Sequence, residues 1–146
     1  MSEADEGMLR HIVVTEARSW IGTRYVHRGR MKGPQGGVDC AQLVYLTFFN
    51  CNLSPEMPLT AYTPDFFCHR GVEQYMDTVL AHCRVVENPK SGDIALFKIG
   101  RIFAHGGIVT EWPTIIHADR VAKIVLEENI NSGRLAGKPV KFFTRW

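Results

Sequence analysis

The chain has 146 residues and a formal net charge of +2 at pH 7, with 45% hydrophobic and 22% charged residues. These values predict one domain over residues 1–146 with its own hydrophobic core. A charge so near neutral gives no support to nucleic-acid binding, and the lack of an apolar run of about 18 residues predicts no membrane span. The acidic, polar start lacks the basic and apolar segments of a secretory signal, so we expect synthesis in a reducing cytoplasm.

Apolar residues recur at helical spacing in three segments and predict helices over 8–21, 40–50 and 70–84. Residues 1–7 precede the first helix and are expected to be flexible. The second helix begins at Cys40, with Asp39 as a favourable N-cap, and follows a loop rich in glycine and basic side chains.

Shorter apolar stretches in the second half predict strands over 94–97, 106–110, 114–118, 121–126 and 140–143. Because the helices come first and the strands follow, we predict an α+β fold in which N-terminal helices pack on a C-terminal antiparallel sheet.

Cys40 differs from the other cysteines because it begins a predicted helix. The partial positive charge and unpaired N–H groups of a helix N-terminus lower a thiol pKa from about 8.5 to roughly 3.5–7.5, which favours the nucleophilic thiolate. The alternative is a buried cysteine that packs as a small hydrophobe. We assign packing roles to Cys51, Cys68 and Cys83, since cytoplasmic folding argues against disulfides and the absence of a CxxC pair against zinc.

Two histidines could complete a catalytic set with this cysteine, which needs a base and a group that orients the base. His105 opens one predicted strand and His117 lies inside the next, with a hairpin turn at 111–113 between them. Adjacent antiparallel strands would set the imidazoles side by side, and Gly106 and Gly107 would allow another backbone to approach closely. The alternative is that each is a buried, hydrogen-bonded histidine of the core.

Five segments occur in an order typical of one enzyme family. They are Gly22-Thr23-Arg24-Tyr25, Asp39-Cys40-Ala41-Gln42-Leu43-Val44, Ser91-Gly92-Asp93-Ile94-Ala95-Leu96-Phe97, His105-Gly106-Gly107-Ile108-Val109 and Ile116-His117-Ala118. In these motifs the chain resembles the NlpC-type cell-wall cysteine peptidases over roughly residues 8–146. That resemblance implies a compact papain-like fold. The basic loop at 27–33 and the closing segment at 142–146 resemble the branch found among bacteriophage tail proteins.

The resemblance implies a role for each matching residue. Cys40 would be the nucleophile, His105 the base and His117 the residue that orients the base. Tyr25 would lie beside the thiolate, with its hydroxyl available to the substrate or the oxyanion. The Cys40 backbone N–H would supply a further oxyanion donor.

Asp39 matches a position that, in some relatives, helps to hold the free amine of a short stem peptide. Ala41 and Gln42 stand where the family commonly has Ser-Gly, which puts that amine preference in doubt. The alternative for Asp39 is a plain helix N-cap.

The implied activity is hydrolysis of amide bonds in peptidoglycan stem peptides, usually at the D-glutamyl–diaminopimelate bond, without a metal or cofactor. The implied setting is a phage or prophage protein, made in the bacterial cytoplasm without a signal peptide, that joins a virion tail with phage tail proteins as partners and acts at the cell wall. Three alternatives remain: a catalytically silent tail-assembly or wall-binding component, a papain-like amidase or acyltransferase, and a zinc-binding module.

Overall fold

The computed structural model describes residues 1–56, 77 and 80–146. Apart from the helical residues Asp77 and Leu80, the described residues form two α-helices and two antiparallel sheets, which confirms the predicted α+β class. The helices are α1 (Glu3–Arg18) and α2 (Cys40–Asn50). The strands are β1 (Arg30–Met31), β2 (Gly37–Val38), β3 (Arg84–Val86), β4 (Ile94–Ile99), β5 (Ile102–Glu111), β6 (Thr114–Asp119), β7 (Ile124–Asn129) and β8 (Val140–Thr144), and a 3₁₀-helix covers Ile130–Ser132.

The main sheet has the strand order β3-β8-β4-β5-β6-β7, and every neighbouring pair is antiparallel. Strands β1 and β2 form a separate small ribbon just before α2. Two isolated bridges hold the preceding loop in place, one from Arg24 to Ile124 and one from Tyr25 to Val38. The segment that leads into α2 is therefore fixed to strand β7 of the main sheet.

Side chains alternate along each strand, so the main sheet has two different faces. The first face packs against α1 and α2 through an apolar set comprising Ile94, Leu96, Ala104, Ile108, Ile116, Ala118 and Val125. The second face packs with the segment at 130–135 through Ala95, Phe97, Val109, Ile115, Ile130 and Leu135. A side chain on β5 or β6 therefore belongs either to the helix side or to the loop side of the sheet.

Helix α1 begins and ends earlier than the sequence predicts. The hydroxyl of Ser2 accepts a hydrogen bond from the backbone N–H of Asp5, and acidic residues occupy the first turn, which complements the positive end of the helix. Residues 3–7, expected to be flexible, are therefore helical. The helix ends at Arg18, and the predicted last residues, 19–21, form a turn instead.

Helix α2 has the bounds that the sequence predicts. Asp39 caps it by accepting a hydrogen bond from the Gln42 N–H at 2.9 Å. Every residue from Cys40 to Phe48 is buried, because the helix lies between α1 and the sheet. The packing of α2 therefore holds its first residue, Cys40, against β5.

Four of the five predicted strands are present with somewhat longer bounds, and the fifth is displaced. The predicted strand at 121–126 is wrong at its start, since 121–123 form a turn in which Lys123 has φ +62°, and β7 begins at Ile124. Strand β3 was not predicted. It pairs with β8 over three residues, too few for a clear alternating pattern.

Most of the predicted helix at 70–84 lies outside the described residues. Asp77 and Leu80 are helical, whereas 81–82 form a turn and Arg84 already belongs to β3, so the predicted end of that helix is wrong. Within the described ranges, neither helix combines the length and apolar character that a membrane crossing requires.

Candidate active site

Cys40 is the first residue of α2, and its thiol lies against the backbone of β5. The thiol is fully buried and donates to the carbonyl oxygen of Ala104, 3.7 Å from the sulfur. The sulfur also accepts hydrogen bonds from the backbone N–H groups of Gly106 and Ala41. Ala104 and Gly106 flank His105 in sequence. The sulfur therefore contacts the backbone of β5 immediately before and immediately after that residue.

The β5 backbone is open to the thiol because β5 and β6 part at this point. Their pairing runs from Glu111–Thr114 to Ile108–Ile116 and ends there. Earlier residues of β5 continue to pair with β4, and later residues of β6 pair with β7. The polar groups of Ala104 and Gly106 that contact the sulfur lie in the part of β5 beyond this divergence.

The two predicted histidines meet across the diverging strands. The Nε2 atom of His105 lies 2.8 Å from Nδ1 of His117, and the rings are nearly perpendicular at 87°. Gly107 allows this approach, since a Cβ there would lie 3.0 Å from the Ile116 oxygen and 3.2 Å from the His117 Cβ. Both imidazoles are on the second face, where His105 lies opposite Phe97 in the strand register. The sequence predicts that His105 opens its strand. In the structure β5 begins earlier, at Ile102, and His105 lies inside it.

Glu128 extends the site and was not predicted. Its Oε1 lies 2.8 Å from Nε2 of His117, so that both ring nitrogens of His117 have protein partners. Glu128 belongs to β7, opposite Ile115, and shares the face of His117. The signal in the sequence was the Glu127-Glu128 pair at the end of an apolar stretch, but the predicted strand stopped at 126.

Tyr25 lies beside the Cys40 thiol. Its hydroxyl hydrogen-bonds to the Cys40 sulfur, and its backbone N–H donates to the Lys123 oxygen at 2.9 Å. The bridge to Val38 fixes the tyrosine just before the helix start. A hydroxyl, a backbone edge and a helix N-terminus therefore converge on one sulfur.

Asp39 is a buried anchor as well as a cap. One carboxylate oxygen accepts from the Gln42 N–H and the other from the Arg28 N–H at 2.8 Å, and the residue is 1% exposed. Gln42 accepts a hydrogen bond from Arg30 Nε at 2.6 Å. These two residues tie the basic loop to the first turn of α2.

Burial controls the ionisation of the cysteine and its neighbouring histidine. It raises the pKa of the Cys40 thiol, and the Asp39 carboxylate adds to this, while hydrogen bonds from Gly106, Ala41 and Tyr25 act in the opposite direction. Burial, with a smaller contribution from His117, lowers the pKa of His105 to about 3. The resting thiol and the resting imidazole are therefore both neutral, and the expectation of a lowered thiol pKa is wrong because desolvation outweighs the helix terminus.

Charged groups surround the outer histidine. Burial lowers the pKa of His117, and the hydrogen bond and charge of Glu128 oppose that change. Asp119 forms an ion pair with Arg134 and accepts a hydrogen bond from the Val121 N–H. Burial acts to raise the pKa of Asp119, but these partners outweigh it and the pKa is lowered.

His117, Asp119 and Glu128 are the group within the described part of the chain that could hold a metal, with ligand atoms within 4.8 Å of one another. The guanidinium of Arg134 already pairs with Asp119, and both nitrogens of His117 are hydrogen-bonded. In this arrangement the three side chains act as hydrogen-bonding partners.

No family model matches the sequence, and no curated protein matches it either. Solved structures do match. NlpC2 from Trichomonas vaginalis superposes with a TM-score of 0.64 at 21% identity over 94% of this chain and 46% of its own. The NlpC/p60 domain of the peptidoglycan hydrolase SagA gives 0.61 at 20% identity over 90% and 96%, respectively. The peptidoglycan hydrolase RipB from Mycobacterium tuberculosis gives 0.69 at 17% identity over 99% and 68%.

This chain has the NlpC/p60 fold. It spans less than half of the Trichomonas vaginalis NlpC2 chain but nearly all of the SagA domain. Among the described residues, Tyr25 contacts the Cys40 sulfur, His105 contacts His117, and Asp39 caps the helix that Cys40 begins. Chemically, this arrangement offers a thiol held on the β5 backbone and, from the same stretch of β5, an imidazole whose Nε2 is hydrogen-bonded to a second imidazole.

Proposed function

We propose that the protein is a single-domain cysteine peptidase that hydrolyses amide bonds in peptidoglycan stem peptides. The observation that carries the proposal is the 2.8 Å bond between His105 and His117, because His105 lies between Ala104 and Gly106, the two β5 residues whose backbone groups hold the Cys40 sulfur. The NlpC/p60 fold, shared with two peptidoglycan hydrolases, supports the substrate class.

In the proposed reaction, the Cys40 sulfur attacks the amide carbonyl while its proton passes to His105. The two events are coupled, because burial disfavours both the free thiolate and the free imidazolium. His117 keeps the His105 ring in place. His105 then gives the proton to the leaving amine, and a thioester remains on Cys40.

The oxyanion that forms on the carbonyl needs hydrogen-bond donors. We assign this role to the Cys40 backbone N–H, at the start of α2, and to the Tyr25 hydroxyl, which already contacts the sulfur. A donor of this kind contributes about 3–4 kcal/mol to transition-state stabilisation. Water, activated by His105, then attacks the thioester and releases the acyl product.

The proposed scissile bond is the D-glutamyl–diaminopimelate bond of the stem peptide. Both carboxylate oxygens of Asp39 accept hydrogen bonds from backbone N–H groups of this chain, so we assign Asp39 the role of holding the basic loop in position rather than binding the substrate. We therefore propose that a free N-terminal amine is not required on the substrate.

The test is digestion of purified sacculi with the protein and with Cys40→Ala, followed by mass spectrometry of the released fragments. We expect fragments that end in D-glutamate from the wild type only. Release of intact stem peptides would instead indicate an amidase, and products joined to added amines an acyltransferase.

A catalytically silent wall-binding component is the second candidate, because the Cys40 thiol is fully buried and its pKa is raised. Binding to sacculi without any product from the wild type would support that candidate.

We further propose a phage or prophage tail setting, on the resemblance of the basic loop and the closing segment to that branch. The closing segment also has a structural role, since Arg10 lies 4.4 Å from the Trp146 ring centre and Arg145 donates to the Leu53 oxygen. Mass spectrometry of virions induced from a strain that carries the gene tests this setting, and the protein is expected among the tail components.

A further inference from the structure

We propose that Glu128 is a positioning residue that fixes the protonation pattern of the two histidines and so keeps Nδ1 of His105 unprotonated, the form that the proposed proton transfer from Cys40 requires. The inference rests on the proposed function and adds a fourth member, from a third strand, to the site. Glu128 touches neither the thiol nor the scissile bond in this scheme. It acts through His117, to which its Oε1 is bonded at 2.8 Å.

The direction of the hydrogen bonds follows from the carboxylate. An ionised carboxylate only accepts hydrogen bonds, whereas a neutral imidazole has one donor nitrogen and one acceptor nitrogen. Nε2 of His117 must therefore carry the proton that Glu128 accepts. Nδ1 of His117 is then an acceptor, and the 2.8 Å contact requires that Nε2 of His105 donates to it.

The protonation state of Nδ1 of His105 follows in the same way. Because the proton of neutral His105 is on Nε2, its Nδ1 carries a free electron pair. That is the form needed to take a proton from a thiol. The opposite pattern, with protons on both Nδ1 atoms, would leave His105 with no nitrogen free to act as a base, because its Nε2 would accept from His117, and would leave no donor for Glu128.

The surrounding structure holds the Glu128 carboxylate in this position. The antiparallel register sets Glu128 opposite Ile115, beside His117 on the same face. Gly133 covers the carboxylate, since a Cβ at that position would lie 3.1 Å from each carboxylate oxygen. Glu128 is thus held between strand β6 and the segment that follows the 3₁₀-helix.

Other charged groups near His117 do not make this contact. Asp119 is engaged by Arg134, and the His105 ring fills the other side. The preceding residue, Glu127, pairs with Arg18 of α1 at 3.1 Å. Glu127 is therefore a matched control, with the same side chain one position away and on the opposite face of β7.

The experiment compares Glu128→Gln, Glu128→Ala and Glu127→Gln by two measurements. The first is turnover of a γ-D-glutamyl–diaminopimelate peptide. We expect kcat to fall by about 10- to 100-fold in Glu128→Ala, the loss typical of carboxylates that orient metal-binding histidines, with KM nearly unchanged. Glu128→Gln should lose less, because its amide oxygen can still accept, and Glu127→Gln should match the wild type.

The second measurement is the ¹⁵N spectrum of histidine-labelled protein at pH 7.5. The wild type should show protonated Nε2 and bare Nδ1 for both His105 and His117. Glu128→Ala should show a mixture of the two tautomers. Gly133→Ala, whose extended backbone suits alanine, should shift the His117 signals while the carboxylate is retained.

The two readouts separate the inference from the proposed function. The positioning role would be overturned if a folded Glu128→Ala variant had the same histidine tautomers as the wild type. It would also be overturned if the wild type cleaved the peptide and Glu128→Ala had the same kcat. A protein that shows the expected tautomers and their loss, but cleaves no stem peptide, would support the positioning role and overturn the proposed function instead.

Discussion

The buried histidine pair makes the stability of the protein depend on pH in a narrow and testable window. Burial and His117 lower the pKa of His105 to about 3, whereas an imidazole in an unfolded chain has a pKa of about 6.5. Below pH 6.5 the unfolded chain binds a proton that the folded protein does not. The stability that depends on neutral His105 is therefore full above that pH and is lost as the pH falls.

The size of the effect follows from the two pKa values. Between pH 7.5 and pH 5.0 the free energy of unfolding should fall by about 2 kcal/mol through His105 alone. The pKa of His117 is also lowered, so it adds in the same direction. The carboxyl groups with lowered pKa, Glu6, Glu127 and Asp119, lose their contribution only at lower pH, as they become protonated.

The assay is urea denaturation at four pH values between 5.0 and 7.5 for the wild type, His105→Gln and His11→Gln. Glutamine does not titrate, so His105→Gln should lose about 2 kcal/mol of the pH dependence, whatever its stability at pH 7.5. The exposed His11 on α1 serves as the control and should keep the full dependence. An identical pH dependence in the wild type and His105→Gln would refute the buried, neutral state of His105.

Three further predictions concern the packing and chemistry of the site. Gly107→Ala should lower the free energy of unfolding by about 1–3 kcal/mol, because its Cβ would lie 3.0 Å from both the Ile116 oxygen and the Ile115 side chain. Gly7→Ala, in open space on α1, should instead raise the free energy of unfolding by about 0.5–1 kcal/mol. Thermal denaturation measures both variants, and changes of the same sign would contradict the packing. Peptidase activity should survive excess EDTA, and its loss with recovery on adding zinc would replace the mechanism with a metal-dependent one. In kinetic assays His105→Ala should abolish turnover and His117→Asn should retain part of it, since asparagine can still hydrogen-bond the base; a His117→Asn variant as inactive as His105→Ala, with a normal circular dichroism spectrum, would show that His117 takes part directly.

The fold class and the start of α2 could be predicted from the sequence because their signals are local. Asp39 is a good cap, the residues after it are apolar in every direction, and a glycine-rich turn precedes them. The hairpin that brings His105 and His117 together is likewise local, with its turn at 112–113.

Glu128 and the ionisation of the thiol could not be predicted because they depend on tertiary structure. Glu128 reaches His117 only through the register of β6 and β7, which a strand boundary misplaced by three residues obscures. The direction of the Cys40 pKa depends on how deeply α2 is buried between α1 and the sheet. A helix start alone indicates the opposite direction.

The most direct test of the proposed mechanism measures the rate at which new amino groups are released from sacculi by three variants, each with one cysteine replaced by alanine. Cys40→Ala should release none above background, whereas Cys51→Ala and Cys83→Ala, which change half-buried thiols, should release them at the wild-type rate. Release by Cys40→Ala at the wild-type rate would contradict the assignment of the nucleophile and, with it, the proposed mechanism.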